Sequence, residues 1–419
     1  MIYLSTNETK AVLEHDSKGK PLCIIENFVT IMQNDKHYQS VYLNEHSGQR
    51  EIHSNGRVTI WTDDDDALSR HYIESKFGLY SRQKHDDALR ILFNSRRYNP
   101  LTDLVETFKW DHQNRCEHFL TKWGKAEDSA YTREISRLLF AEGIHRLYEP
   151  GCKSDGVLVL VGDQGAGKSQ LVQLLALNDA YFTTTKNMSG DQKSIEQLQG
   201  AWIVEIPELA AFKGADIESL KAFVTQTVDR YRKPWDKNIS VLPRRCVFVG
   251  TTNNHQFLSD MTGNRRFFPV DIHSSGYEIH DRKDEIMDYI SQCWAEAKER
   301  YDSGDMAPVA NPALLAEYQE KQENAMEDDW RVGVIEDYLN RKAVGDLVCV
   351  KELYDNALYT DSYRQPSRKE SVEIGLILDK LPNWKRKPKV TKTKKYGAQR
   401  CWECLSSEYD DELRAVFSG

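Results

Sequence analysis

A glycine-rich segment in the middle of the chain matches the pattern G-x-x-x-x-G-K-[ST] at every fixed position. In this pattern the glycines let successive backbone N–H groups surround a phosphate chain, the lysine pairs with the β- and γ-phosphates, and the hydroxyl binds Mg²⁺. A ligand-free turn is the alternative. We expect ATP and Mg²⁺ as ligands, with Ser169 on the metal, in a loop formed by Gly162, Asp163, Gln164, Gly165, Ala166, Gly167, Lys168, Ser169 and Gln170.

The next apolar segment, Trp202–Ile206, has one glutamate near its end and a second just after it. A carboxylate at the end of a buried strand can hold the Mg²⁺ shell and orient water beside a phosphate-binding loop. Glu205 is therefore the candidate metal-side acid, and Glu208, just beyond a proline, is the candidate catalytic base. Two surface glutamates after a strand remain the alternative interpretation.

Polar and basic residues follow the third apolar segment, 246–250. Asn253 offers an amide that can orient the attacking water. Arg265 and Arg266 lie on a tight turn twelve residues after Asn253, where they could act as arginine fingers on a neighbouring subunit's nucleotide. An ordinary surface pair is the alternative for these arginines.

The apolar runs and helical patterns that would position these residues indicate an α/β core over residues 151–302. Short apolar runs of this kind are typical of parallel strands covered on both faces, and helical patterns lie between some of them. The runs are Val157–Val161, Trp202–Ile206, Cys246–Gly250 and Phe267–Ile272, and a last helix is predicted near 283–301. Residues 303–329 are predicted to form a linker with a helix.

The first 150 residues predict a mainly helical N-terminal domain, in which residues 1–60 have some β character and no assigned role. Helical patterns cover 83–95, 101–109, 112–123 and 129–148. Thr62 and the four aspartates after it could resemble a metal site. They directly precede a helical pattern, so we interpret them as an N-cap and an acidic first turn.

Composition limits the class of protein. The 419 residues carry 56 basic and 65 acidic side chains, a net charge of −9, and 40% are apolar, so disorder as the main state is excluded. No apolar run is long enough to span a membrane, and no basic start precedes an apolar core. Eight scattered cysteines fit a reducing cytoplasm, and we interpret Cys401 and Cys404 as strand residues rather than zinc ligands.

The last 90 residues, 330–419, predict a small separate unit. Helical patterns at 332–339, 351–359 and 369–381 precede a strand-turn-strand pattern at 384–404, an order that resembles a winged-helix module. Residues 385–400 contain eight basic residues and no acid, which favours phosphate contacts over a merely solvated hairpin. We expect double-stranded DNA to contact Arg368, Lys369, Lys385, Arg386, Lys387, Lys389, Lys392, Lys394 and Lys395.

The order GDQGAGKS, WIVEIPEL, VFVGTTNN and TGNRRFFPV resembles the virulence-associated E family of P-loop ATPases, which phages, satellites and genomic islands encode. That family is related to the superfamily 3 helicases of the AAA+ class. The resemblance implies an AAA+-like core in which Lys168 and Ser169 are Walker A residues, Glu205 is the Walker B acid and Asn253 is the sensor. Superfamily 3 enzymes usually have two adjacent Walker B acids, whereas Ile-Pro separates Glu205 from Glu208 here.

In those viral helicases a β-hairpin between the Walker B and sensor strands carries basic residues into the central channel of a hexamer. The corresponding stretch, 229–237, interleaves positive charge with aromatic rings, a composition that suits single-stranded DNA. A plain exposed hairpin is the alternative. The candidate DNA contacts are Arg230, Arg232, Lys233, Trp235 and Lys237.

The sequence therefore favours a DNA-dependent ATPase, a hexameric ring-forming helicase that replicates a mobile element. A replication initiator or a primase is a further candidate partner, and no membrane is expected. One alternative is a nucleotide-controlled DNA-binding regulator or loader that does not unwind DNA. Another alternative is a small-molecule P-loop kinase. Two basic patches whose composition suits DNA binding argue against it.

Overall fold

The computed structural model describes residues 3–186, 188, 190–212, 215–231, 239–258, 264–308, 310–326, 329–359 and 365–406. The chain divides into two compact units, a larger one of Met1–His255 with Arg265–Lys321 and a smaller one of Gln256–Asn264 with Gln322–Gly419. Over the described ranges, no helix is long and apolar enough to cross a membrane.

The larger unit begins with a sheet and helices that have their own hydrophobic core, which includes Phe28, Ile73 and Leu89. The strand order is β3-β2-β1-β4, with β4 parallel to β1 and the other pairs antiparallel. Thr62 and Asp65 form a capping box, which confirms the predicted helix start. The elements are α1 (Thr6–Ala11), α2 (Ile25–Asn34), β1 (Val41–Asn44), β2 (Arg50–Ser54), β3 (Arg57–Ile60), α3 (Asp63–Phe77), α4 (Arg82–Ser95) and β4 (Arg97–Tyr98).

Three helices follow: α5 (Pro100–Thr107), α6 (Phe119–Trp123) and α7 (Ala130–Tyr148). The helix predicted from residue 112 begins later, after a short 3₁₀ turn at Cys116–His118. Its first residues form a loop because Arg115 pairs with Asp111, and the backbone N–H groups of Arg115 and Cys116 donate to buried Glu296. Although grouped by sequence with the N-terminal region, α5 to α7 share the core of the parallel sheet.

The parallel sheet has the order β11-β5-β10-β7-β6, with every neighbouring pair parallel, which confirms the predicted α/β core. Its strands and helices are β5 (Val157–Val161), α8 (Lys168–Leu175), β6 (Phe182–Thr184), α9 (Gln192–Gln197), β7 (Ile203–Ile206), α10 (Ala215–Val224), β8 (Val228–Tyr231), β9 (Ser240–Pro243), β10 (Val247–Thr252), β11 (Phe267–Asp271), α11 (Gly276–Asp281), α12 (Lys283–Ser303) and α13 (Leu315–Asn324). Both β8 and β9 stand outside this sheet as an antiparallel pair.

In its described residues from 329 onward, the smaller unit has three α-helices and two antiparallel sheets around its own core. One sheet has the order β12-β16-β13, and the other is the hairpin β14-β15. Cys401 and Cys404 are buried in β16, which confirms that both lie in a strand. The elements are α14 (Trp330–Leu339), β12 (Leu347–Cys349), α15 (Val350–Leu353) with a π-helical turn at Tyr354–Leu358, α16 (Arg368–Lys380), β13 (Trp384–Arg386), β14 (Thr391–Thr393), β15 (Gly397–Gln399) and β16 (Cys401–Cys404).

Candidate nucleotide-binding site

The glycine-rich loop connects buried β5 to the start of α8. Gly165 and Gly167 have φ values of +89° and +80°, a region that favours glycine. A Cβ on Gly167 would lie 2.5 Å from Cδ1 of Ile279 and 3.0 Å from Cα of Gly276. Sterics and backbone conformation therefore both require glycine at position 167.

The segment after β11 packs against this loop and donates hydrogen bonds to it. The backbone N–H of Gly276 donates to Gly165 O (2.8 Å), and the Ser274 hydroxyl donates to Ala166 O (2.8 Å). Sequence reasoning missed both residues, because a Ser-Ser-Gly stretch carries no signal beyond that of an ordinary turn. The loop is consequently held by hydrogen bonds to two of its carbonyl oxygens.

Lys168 is almost fully buried, and its ammonium donates to three oxygens: Gly162 O (2.7 Å), Asp163 O (2.8 Å) and Asn253 Oδ1 (2.6 Å). Burial lowers the pKa of this lysine. The site thus surrounds the ammonium with oxygen acceptors, as phosphate oxygens would. The structure brings together the predicted lysine and the predicted sensor amide.

Glu205 lies in β7 with only 2% of its surface exposed. One carboxylate oxygen, Oε1, accepts hydrogen bonds from the hydroxyls of Ser169 (2.6 Å) and Thr251 (2.7 Å). Thr251 was not among the predicted residues, since its role depends on β10 lying beside β7. A carboxylate next to two hydroxyls is an oxygen set suited to Mg²⁺.

Glu208 lines a cleft of about 450 Å³ together with Lys168, Ser169 and Asn253. Its backbone has a φ of +54°, and its carboxylate accepts from exposed Lys186 at 2.7 Å. This hydrogen bond to the ammonium lowers the pKa of Glu208. In this arrangement the candidate base is paired with a lysine at the mouth of the cleft.

Arg265 and Arg266 precede β11, so they lie at the opposite end of the parallel strands from the glycine-rich loop of their own chain. Phe267 aligns with Val157, the first residue of β5, whereas the loop follows the last. The five-residue strand separates the two positions by about 16 Å. The arginines are therefore not brought to the nucleotide cleft of the same chain.

The stretch predicted to contact single-stranded DNA begins in β8, which pairs antiparallel with β9. Arg230 is exposed in β8, while the preceding Asp229 is buried in a salt bridge with Arg244 at 2.5 Å. Arg244 also packs over Phe223, 4.5 Å from the ring centroid. The remaining predicted contacts, Arg232, Lys233, Trp235 and Lys237, lie outside the described residues.

The predicted duplex-binding residues lie on α16 and on the strands and turns that follow it. Three of them make ion pairs within the unit: Lys369 with Glu373, Arg386 with Asp379, and Lys387 with Glu403. The other predicted residues are exposed, namely Arg368, Lys385, Lys389, Lys392, Lys394 and Lys395. Positive charge is therefore concentrated on the surface of the β14–β15 hairpin and of the residues just before it.

Comparison with known proteins gives one family match. The model of the virulence-associated protein E-like domain matches residues 104–328. The apo structure of the NrS-1 C-terminal region (305–718) has 14% identity and a TM-score of 0.49, covering 87% of this chain and 96% of that one. An A-form apo structure of the same region has 15% identity, a TM-score of 0.48 and the same coverage.

No curated protein matches the chain. The matched domain includes the glycine-rich loop, both candidate glutamates, Asn253 and the arginine pair. Because it spans more than half of the chain, the protein belongs to the virulence-associated protein E-like family.

Proposed function

We propose that the protein is a DNA-dependent ATPase with an AAA+-like core, a ring-forming helicase that replicates the DNA of a phage, satellite or genomic island. The observation that carries this proposal is the convergence of Lys168, Ser169, Glu205, Thr251 and Asn253 at the carboxyl ends of three neighbouring strands. Membership of the family supports the association with mobile elements.

The residues present fit ATP and Mg²⁺. Three oxygens already surround the ammonium of Lys168, and the Ser169 hydroxyl lies 2.6 Å from the Glu205 carboxylate. Ser169 and Glu205 would hold the metal, which when bound neutralises charge on the phosphate oxygens. The loop N–H groups and the N-terminus of α8 would bind the phosphates.

Asn253 and Glu208 are the residues proposed to act on the attacking water. Asn253 contacts Lys168, so its amide lies beside the position expected for the terminal phosphate. Lys186 donates to one carboxylate oxygen of Glu208 and so makes this carboxylate a weaker base. Opening of this pair when the ligand binds would make Glu208 a stronger base.

Arg265 or Arg266 acts as an arginine finger on the nucleotide of a neighbouring subunit. Their separation from the loop of the same chain, by the length of β11, supports a contribution in trans. Such a contribution requires a head-to-tail interface, which closes into a ring when the rotation permits. A hexamer is the proposed assembly.

Two basic surfaces are proposed to bind DNA. The β8–β9 hairpin would contact single-stranded DNA in the central channel through Arg230 and the basic and aromatic residues after it. In the smaller unit, the order α14, β12, α15, α16, β13, β16 supports a winged-helix-like domain, with β14–β15 as the wing. Its exposed lysines would contact duplex phosphates.

The test is ATP hydrolysis with and without single-stranded DNA, using Lys168→Ala as the inactive control. Lys193→Ala changes an exposed lysine on α9 and should leave turnover unchanged. We expect Lys168→Ala to abolish hydrolysis and DNA to stimulate the wild type. Unchanged turnover in Lys168→Ala would contradict the site. Hydrolysis indifferent to DNA would favour a nucleotide-controlled regulator that does not unwind, whereas phosphate transfer to a nucleoside would indicate a kinase.

A further inference from the structure

A small cavity of about 110 Å³ lies at the amino ends of β7 and β10. Its walls come from three connections: the turn between β1 and β2, the turn between α9 and β7, and the segment between β9 and β10. The glycine-rich loop and Asn253 lie at the carboxyl ends of the parallel strands. This cavity is therefore separate from the candidate nucleotide-binding cleft.

His46 lines the cavity and is buried without a hydrogen-bond partner. Only 6% of its surface is exposed, and neither ring nitrogen has a partner among the described residues. Burial lowers the pKa of His46 to about 4, the nearby Arg245 guanidinium lowers it further, and the Gly200 backbone acts in the opposite direction. Because a buried polar group without a partner is costly, a ligand that pairs with this ring would be stabilised.

The surrounding turns hold the ring of His46 in place. Asn44 Oδ1 accepts hydrogen bonds from the backbone N–H groups of His46 (2.9 Å) and Ser47 (3.1 Å), which fixes the turn between β1 and β2. Gly200, with a φ of +80°, approaches this turn so closely that a Cβ would lie 3.1 Å from Cβ of Ser47. The His46 ring also packs edge-on against Tyr181, with 5.7 Å between ring centroids.

Arg245 brings a cation to the same cavity. Its side chain is half-buried, and within the described ranges its guanidinium forms no hydrogen bond or ion pair. Burial lowers the pKa of Arg245, and the nearby Glu45 carboxylate opposes this effect. Since Arg245 also lowers the pKa of His46, the two side chains lie within electrostatic reach of each other.

The two acids that line the cavity already have cationic partners. Asp229 accepts from buried Arg244 at 2.5 Å, and Glu45 pairs with Arg97 at 3.5 Å. With Arg245 included, three arginines stand against two carboxylates. The cavity therefore has a net positive charge and suits an anion.

We propose that this cavity binds one phosphate group, held by the His46 imidazole and the Arg245 guanidinium. A guanidinium presents parallel N–H donors that match two phosphate oxygens, and an imidazole N–H can donate to another. The volume is far below that of sites for drug-sized ligands, so a phosphate group fits and a whole nucleotide does not. Inorganic phosphate and a DNA strand beside β8 both supply such a group, and the experiment distinguishes these two sources.

The experiment uses the full chain carrying Lys168→Ala, which disables the phosphate site proposed for the glycine-rich loop. Calorimetric titration with inorganic phosphate should give a dissociation constant on the order of 1 mM. Adding Arg245→Gln should weaken binding at least about tenfold, because charge-assisted hydrogen bonds are lost. Arg90→Gln, which changes an exposed arginine on α4, is the matched control and should bind as the parent does.

Two oligonucleotides distinguish the sources: a strand of thymidines with a 5′-phosphate and the same strand without it. If the site takes a terminal phosphate, the phosphorylated strand binds more tightly, and Arg245→Gln removes the difference. If the site takes an internal phosphate, Arg245→Gln weakens both strands equally. If both strands are unaffected while phosphate binding falls, the site belongs to inorganic phosphate.

A second measurement observes His46 directly. In the same protein with ¹⁵N-labelled histidine, the ligand that binds should shift one set of ring resonances, and that set should be missing from the spectrum of His46→Gln. Shifts confined to other histidines would overturn the proposal even if Arg245→Gln fails to fold.

Three further outcomes would overturn the proposal. These are full affinity for phosphate and for both strands in a folded Arg245→Gln, the same loss in Arg90→Gln, or acetate binding as tightly as phosphate. The proposal does not depend on the proposed function, because none of the residues that hold the phosphate group belongs to the candidate nucleotide-binding cleft.

Discussion

The ammonium of Lys168 donates a hydrogen bond to the amide oxygen of Asn253, 2.6 Å away, although 85 residues separate them in the chain. The contact exists because β10, which ends just before Asn253, lies directly beside β5. The glycine-rich loop and the end of β10 are therefore linked through one side-chain pair.

Asn253→Ala should lower the hydrolysis rate by about 10²-fold, because the loss of one polar group that stabilises charge in a transition state has an effect of this size in other enzymes. Nucleotide affinity should stay near the wild-type value. Steady-state kinetics and equilibrium binding measure the two effects separately. Asn254→Ala, one residue further on, is the control. Equal reductions in both variants would show that the strand end, rather than the contact with Lys168, matters.

Mixing two inactive variants tests the arginine finger. Lys168→Ala lacks the phosphate-binding lysine, and the double variant Arg265→Ala/Arg266→Ala lacks the finger. In a mixed head-to-tail ring, some interfaces combine an intact loop with an intact arginine, so about a quarter of the wild-type activity should return at equal amounts. Each variant titrated alone supplies the baseline. No recovery, in mixtures shown to co-assemble, would exclude a contribution in trans.

The two basic surfaces should have separable effects. Arg230→Ala with Arg232→Ala and Lys233→Ala should reduce stimulation by single-stranded DNA, whereas Lys389→Ala with Lys392→Ala and Lys394→Ala should weaken duplex binding. The log–log salt dependence of duplex binding should flatten by about 0.9 in slope for each lysine–phosphate interaction that the substitutions remove. Lys18→Ala with Lys20→Ala and Lys76→Ala, three exposed lysines elsewhere in the chain, controls for the change in net charge. Equal effects of both sets on both substrates would mean that the surfaces are not specialised.

Glu142 should make stability depend on pH. Burial raises the pKa of this carboxyl on α7 to about 8, above its value in the unfolded chain. The native state therefore binds the proton more tightly, and stability present below about pH 4.5 is lost as pH rises towards 8. Glu142→Gln should remove up to about 3–4 kcal/mol of the decline in unfolding free energy between pH 5 and 8.

Denaturant unfolding at several pH values measures this slope. Glu134→Gln, which alters a carboxylate paired with Arg137 on the same helix, is the control and should keep the wild-type slope. An unchanged slope in Glu142→Gln would show that another group accounts for the pH dependence.

The central strands of the parallel sheet could be predicted because each is a run of apolar residues, as in Val157–Val161. The short strands β6 and β12 could not, since three residues are too few to establish a pattern. Lys168, Ser169 and Glu205 could be found from their spacing. Thr251 and Gly276 could not, because their contacts depend on which strands become neighbours and on how the chain returns after β11.

The buried Asp229–Arg244 pair fixes the base of the β8–β9 hairpin at a position that has mechanical significance. Only residues 244–246 separate β9 from β10, and β10 ends next to Asn253. A displacement of β9 would therefore pass along a short, anchored backbone into β10, the strand that ends at the candidate nucleotide-binding cleft. One continuous polypeptide segment thus joins the β8–β9 pair to this cleft.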